Sequence, residues 1–307
     1  MKKFNKGIVV IFIFLIGITA ALPLIRNNEK QAIDNTVQRN VSGKFIKLSQ
    51  GYAHYQIGGA IDKQVVILVH GFSVPMYIYD STYTSLIRSG FRVVRFDLWG
   101  RGYSSRPHTT YNLDLFVQET KELIDSLHLS HPVDLIGVSM GGTIVAGFVS
   151  KYPKLVRKVV LIDPHVLKKD ISPLDIPIIG DYFAAVFWIP SLPKSQLSDF
   201  YYPEKHPDWS ERYREQMQYN GFRYAIVSTA RNILNHDFLN SYRKLNNVSV
   251  LLFWGKQDKT IPKAEIDTLL QLIKPEFFAI DHAGHLPQIE QASTVNQRIM
   301  DFLKQTK

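Results

Sequence analysis

Gly137-Val138-Ser139-Met140-Gly141-Gly142 completes the apolar run Val133–Val138 and leads into a helical pattern over Gly141–Lys151. A strand, a sharp turn and a helix are the setting that turns a serine between two glycines into an exposed nucleophile. The turn is so tight that a Cβ two positions either side of the serine would collide with the chain; Gly137 and Gly141 avoid that. The helix N-terminus behind Ser139 also favours developing negative charge. The pentapeptide alone is a weak signal, because a glycine-rich turn carrying an idle serine has the same letters. The surroundings have to decide.

Outward from this turn, strands and helices alternate. Phe45–Leu48 and Ala53–Ile57 read as a hairpin around Gln50-Gly51. Val65–Val69, Arg92–Phe96, Val133–Val138, Val159–Ile162, Val248–Trp254 and Phe277–Ile280 are short apolar runs suited to strands buried on both faces. Leu113, Phe116, Val117, Leu123, Ile124 and Leu127 follow the 3.6-residue period of a helix over Asn112–Leu127. Further helices are predicted over Tyr79–Arg88, Lys263–Ile273 and Gln291–Lys304. The alternation implies an α/β fold: a mostly parallel, doubly wound sheet with helices on both faces. From about residue 164 to 245 the strand pattern stops. Phe183, Phe187, Trp188, Tyr201, Tyr202, Trp209, Tyr213, Tyr219, Phe222 and Tyr224 fall here among six prolines, which reads as a helical cap laid over the sheet. Some of these aromatics form the core of the cap; others, Trp188 for one, are expected to line an apolar pocket.

A serine hydroxyl needs a base to take its proton. His285, in Gly284-His285-Leu286-Pro287 after the last strand, is the first choice, and His282 the alternative. An imidazole in turn needs a carboxylate to fix its tautomer. Asp258 just after one strand fits, and Asp163 after the preceding core strand is the rival. Asp97 reads as a structural residue of the loop Asp97–Ser104, and His70 as a residue packed under its own loop. The backbone N–H groups of Phe72 and Met140 are the expected oxyanion donors. Nothing in the sequence has the spacing of a metal site, a phosphate loop or a dinucleotide fingerprint, so no cofactor and no metal is expected.

Taken together, His70-Gly71-Phe72, Asp97–Ser104, the serine turn, Trp254-Gly255-Lys256-Gln257-Asp258 and Gly284-His285-Leu286-Pro287 resemble the α/β-hydrolase fold family, in its order Ser…Asp…His. The resemblance runs from about residue 44 to 307 and is weakest through the cap. It is closest to serine esterases, monoacylglycerol lipase-like enzymes and meta-cleavage-product hydrolases. Ser139 stands where haloalkane dehalogenases and epoxide hydrolases carry an aspartate. The resemblance implies a serine hydrolase with the catalytic residues Ser139, Asp258 and His285, acting on an apolar or amphipathic ester or lipid through an acyl-enzyme. Alternatives are a C–C bond hydrolase of the meta-cleavage type and a non-catalytic binding protein on the same fold. The motifs specify the fold and leave the substrate open.

The 307 residues are 45% apolar and 21% charged, as in an ordinary globular protein. The absence of cysteine excludes disulfides, thiolate metal sites and cysteine nucleophiles. The net charge of +9 is scattered over the chain without a basic run, so a nucleic-acid partner is not expected. Residues 7–25, GIVVIFIFLIGITAALPLI, are uncharged and follow Lys2, Lys3 and Lys6. That pattern predicts a transmembrane anchor or signal sequence after a cytoplasmic tail over residues 1–6, then a linker over 26–43 and the hydrolase domain over 44–307. The expected location is therefore a single-pass membrane protein with its catalytic domain outside the cytoplasm, or a secreted form after signal cleavage.

Overall fold

The computed structural model describes residues 6–305, with side chains described from residue 12 onward; most of the expected tail over 1–6 lies outside them. Eight strands form one sheet: β1 (Lys44–Leu48), β2 (Gly51–Gly58), β3 (Val65–Val69), β4 (Arg92–Phe96), β5 (Val133–Val138), β6 (Val156–Ile162), β7 (Ser249–Gly255) and β8 (Glu276–Ile280). Their order is β1-β2-β4-β3-β5-β6-β7-β8. The pairs β1–β2 and β2–β4 are antiparallel, and all the others in the sheet are parallel. The doubly wound, mostly parallel sheet expected from the apolar runs is thus present.

The helices are α1 (Lys6–Ile25), α2 (Asn35–Asn40), α3 (Asp80–Arg88), α4 (Leu113–Ser126) and α5 (Met140–Lys151), then five short ones between β6 and β7, namely α6 (Ile179–Phe183), α7 (Ile189–Ser195), α8 (Trp209–Arg214), α9 (Phe222–Thr229) and α10 (Leu239–Arg243). After β7 come α11 (Lys263–Leu272), α12 (Pro287–Glu290) and α13 (Ala292–Lys304). Because side chains alternate along a strand, β3 feeds two cores at once. Val65, Ile67 and Val69 pack with Phe116, Val117, Ile144 and Leu269 of α4, α5 and α11. Val66 and Leu68 pack with Leu86, Val295 and Ile299 of α3 and α13. All five β3 residues are buried, which is why the run is continuously apolar rather than alternating.

Between β6 and β7 the cap builds a core from its own aromatics. Trp209, Tyr213 and Phe222 are buried there with Phe200 and Met217. Rings meet edge-on, Phe200 against Trp209 at 5.0 Å and Tyr213 against Phe222 at 6.3 Å between centroids.

The N-terminal segment differs from its expected role. Among the described residues no helix is long and apolar enough to cross a membrane. Pro23 interrupts the last turn, Ala21, Leu22 and Pro23 are half-buried, and Tyr182 Oη of the cap donates to Thr19 O at 3.1 Å. The expectation of a transmembrane anchor over 7–25, of membrane contact through it and of a single-pass location outside the cytoplasm is therefore corrected. Past α1 the chain is tied to the cap. Lys30 and Gln31 donate backbone N–H groups to Gln218 O at 2.7 and 3.0 Å, and Asn220 donates to Gln31 O at 2.8 Å. The Glu29 carboxylate accepts from the Gly221 and Arg223 amides at 2.8 and 2.6 Å, filling the open N-terminus of α9.

Candidate active site

Ser139 sits between β5 and α5 with φ +53° and ψ −123°, a left-handed conformation uncommon for a residue with a Cβ. The close packing of the turn enforces it. A Cβ on Gly137 would lie 2.4 Å from Gly141 O, and one on Gly141 would lie 2.1 Å from Val69 O. Gly142 N donates to Ser139 O at 2.9 Å and starts the first turn of α5. Met140 is the first residue of that helix, where amides have no partner within the helix.

Two neighbouring strand ends supply the carboxylates. β6 and β7 pair in parallel with Ile162 opposite Phe253, so Asp163 comes to the end of β7, and its carboxylate lies within 4.8 Å of that of Asp258 in the loop beyond. Asp258 Oδ1 accepts from the amides of Thr260 and Ile261 at 2.7 and 3.0 Å. Its Oδ2 accepts from His285 Nδ1 at 2.8 Å. The pair is deeply buried, with His285 5% and Asp258 8% exposed. Burial opposes both charges, yet each partner favours the charged form of the other. Asp258 is held below the ordinary carboxylate range, and His285 is raised above the ordinary imidazole value. Since Nδ1 carries the proton donated to Asp258, neutral His285 presents its lone pair at Nε2.

Ser139 and His285 line one cavity of about 160 Å³. Its apolar wall includes Val74, Ile78, Leu234, Ile261 and Leu286, and Phe72 borders it on the loop after β3. Its polar wall includes His165, Lys169, Gln196 and Asp199, which the sequence reading did not single out. They come from the β6 end and the cap, where no periodic pattern or motif marks them. Asp199 also anchors the histidine loop, since its carbonyl accepts from His285 N at 2.7 Å. Lys169 is ion-paired with Glu265 and also donates to Thr260 O at 3.0 Å.

The remaining candidates are held elsewhere or otherwise. His282 is exposed, with φ +54° and Nδ1 3.4 Å from Tyr202 Oη, and does not line the cavity. Asp97 is buried and accepts from His54 Nδ1, Met76 N and Tyr103 N at 2.7, 2.9 and 3.0 Å. His70 donates from Nδ1 to Gly71 O and accepts the Leu98 amide at Nε2, both at 2.9 Å. Burial lowers it to about 4. Some of the ten cap aromatics, Trp188 for one, are expected from the sequence to line the pocket; none of the ten lines the cavity. Trp188 stacks on Phe72 at 6.2 Å and so lies one layer behind it. Asp163, Asp258 and His285 hold ligand-type atoms within 4.8 Å of one another, the one grouping with metal-site spacing among the described residues. An ion there would have to break the existing Asp258–His285 bond.

This arrangement agrees with what the chain is similar to. A carboxylesterase, YbfK of Bacillus subtilis, is 26% identical over 84% of this chain and 86% of its own length. The 2-hydroxy-6-oxo-2,4-heptadienoate hydrolase of Pseudomonas putida is 26% identical over 78% of this chain and 88% of its own. The solved structure of a thermophilic esterase from Thermogutta terrifontis superposes with a TM-score of 0.75 at 21% identity, covering 85% of this chain and 98% of that one. Residues 64–292 match the family described as alpha/beta hydrolase fold. With that match across most of the chain, the serine turn at β5 and the strand order around it, the protein belongs to the alpha/beta hydrolase fold family.

Proposed function

We propose that the protein is a serine hydrolase that cleaves a carboxylic ester of apolar or amphipathic character through an acyl-enzyme. The observation that carries this reading is the buried Asp258–His285 bond opening on the same cavity as Ser139. His285 Nε2 takes the Ser139 proton as Oγ attacks the ester carbonyl. The amides of Phe72 and Met140 hold the oxyanion, with the α5 N-terminus behind them. The tetrahedral intermediate collapses, and His285 gives its proton to the departing alcohol. Water, deprotonated by His285, then attacks the acyl-enzyme, releases the acid and restores Ser139.

The apolar wall of the cavity supports an ester with hydrocarbon character. The C–C cleavage reading draws on relatives such as the 2-hydroxy-6-oxo-2,4-heptadienoate hydrolase, and needs a charged or polar clamp for an acid group of the substrate. The one lysine on the cavity wall, Lys169, is already paired with Glu265, which weighs toward the ester. The test is a fluorophosphonate probe applied to wild type and Ser139→Ala, with p-nitrophenyl esters from C2 to C12 as substrates. Labelling and turnover confined to wild type support the reading. Labelling that persists in the variant places the nucleophile elsewhere, and a binding protein shows neither.

A further inference from the structure

Asp163 is the residue that the triad leaves unexplained. It is fully buried at the end of β6, in a left-handed conformation with φ +42°. Its backbone N–H donates to Phe253 O at 3.0 Å. Its Oδ1 accepts from Gly255 N at 2.9 Å, while Oδ2 is buried with no hydrogen-bond partner among the described residues. An oxygen of Asp163, an oxygen of Asp258 and a nitrogen of His285 all lie within 4.8 Å of one another. A carboxylate offers about four acceptor sites. On Asp258 the amides of Thr260 and Ile261 and His285 Nδ1 take three of them. One acceptor site of Asp258 and one oxygen of Asp163 are therefore both left over, in the same buried space.

We propose that Asp163 is a positioning residue for Asp258: its carboxyl stays protonated and supplies the fourth hydrogen bond to the Asp258 carboxylate. This rests on the reading of Asp258 and His285 as acid and base. Two buried carboxylates this close cannot both ionise, so one proton is shared between them. Asp258 keeps the charge because three donors and His285 face it, whereas Asp163 has a single amide. Burial first, and then Asp258 itself, raise Asp163 well above the ordinary carboxyl range, with Glu290 adding to the repulsion. Around the pair, His285 faces Asp258, and Asp199 and Lys169 act on His285 with opposite signs. The consequence concerns the base. A fourth donor spreads the charge of Asp258, so Asp258 holds the imidazolium less tightly. His285 then sheds its proton at lower pH, and the enzyme works further into the acid range.

Asp163→Asn is the discriminating variant. An amide reproduces both contacts at once, its oxygen accepting from Gly255 and its NH₂ donating to Asp258, and it never ionises. The expected result is kcat/KM within about threefold of wild type and an unmoved acid limb of the pH profile. Asp163→Ala removes the donor, and its acid limb should move up by roughly half to one pH unit. Difference infrared spectroscopy of wild type against Asp163→Asn at neutral pH should show the carbonyl stretch of a protonated carboxyl; this measurement stands even where Asp163→Ala fails to fold. A carboxylate band instead, a tenfold loss in Asp163→Asn, or an acid limb unmoved in a folded Asp163→Ala would each overturn the proposal. Asp258→Asn, assayed alongside, tests the underlying reading separately: full activity there sinks the triad, whatever Asp163 does.

Discussion

His285 and His54 each bury an imidazole against an aspartate, with Nδ1 to Oδ2 distances of 2.8 Å to Asp258 and 2.7 Å to Asp97. Both aspartates also take backbone amides, and both histidines are raised above the ordinary value against the effect of burial. The difference lies at the other ring nitrogen. His54 Nε2 is bonded to Ser42 O at 2.8 Å, so both sides of the ring are occupied and the pair ties β2 to the chain before β1 and to the loop after β4. His285 lines the cavity that Ser139 shares. A buried His–Asp pair is therefore not in itself a catalytic device. What separates the two is whether the second nitrogen is spent on the fold or left for a substrate.

The largest effects should follow from breaking the open pair. Ser139→Ala is expected to lower kcat by about 10⁴–10⁶, and Asp258→Asn by about 10³–10⁴ through the wrong imidazole tautomer, with the fold intact in both. Steady-state kinetics beside circular dichroism measure this, and an Asp258→Asn enzyme within tenfold of wild type would erase the distinction between the pairs. Breaking the closed pair should cost stability instead. Asp97→Ala leaves His54, Met76 N and Tyr103 N without their acceptor, a loss of about 3–5 kcal/mol in denaturant unfolding. Turnover per folded molecule should stay within about tenfold, counted by titration with the fluorophosphonate.

The two pairs should also be visible in pH dependences of opposite sign, one in activity and one in stability. His285 must be neutral to act, so activity rises with pH through a value above 6.5. His54 is stabilised in its charged form, with a folded value above 6.5. Its contribution is fully present below the unfolded value and is lost as pH rises through the folded one. Thermal unfolding of wild type should therefore weaken across that window, and His54→Gln should flatten the change. Equal slopes in the two proteins would remove His54 as the source. The smallest effect is expected at Trp188→Ala. Because Trp188 lies behind Phe72 and off the cavity wall, kcat/KM should fall by no more than about fivefold, with the C2 to C12 profile unchanged in shape. A profile altered at the longer chains would return that ring to the substrate.

The sheet was legible because strands such as β3 bury every residue and so write themselves as unbroken apolar runs. The serine turn was legible because its letters fall within five residues, and one of its steric demands, Gly137 against Gly141 O, is as local, although Gly141 makes room for the end of β3. Chemistry that depends on distant chain segments left less trace. Asp163 and Asp258 are 95 positions apart, and only the three-dimensional structure shows that their carboxylates come within 4.8 Å; one at a time, each looks like a candidate acid. The cap aromatics misled in their direction: an aromatic side chain satisfies a cap core and a pocket wall equally well, and composition does not say which way it turns. Residues 7–25 misled differently. Length and lack of charge describe an anchor, but Pro23, the docking of the last turns and the bond from Tyr182 are tertiary facts.

The carboxylate of Glu29 grips the first amides of α9, and the turn that follows α9 carries Leu234 into the cavity wall. Mechanically this makes the N-terminal segment a lever. Along the chain, Glu29 meets α9 of the cap fifteen positions before the first strand, β1, begins at Lys44. The end of the molecule before β1 is thus coupled to the wall of the cavity through α9, while Ser139 is held from the other side by β5 and α5.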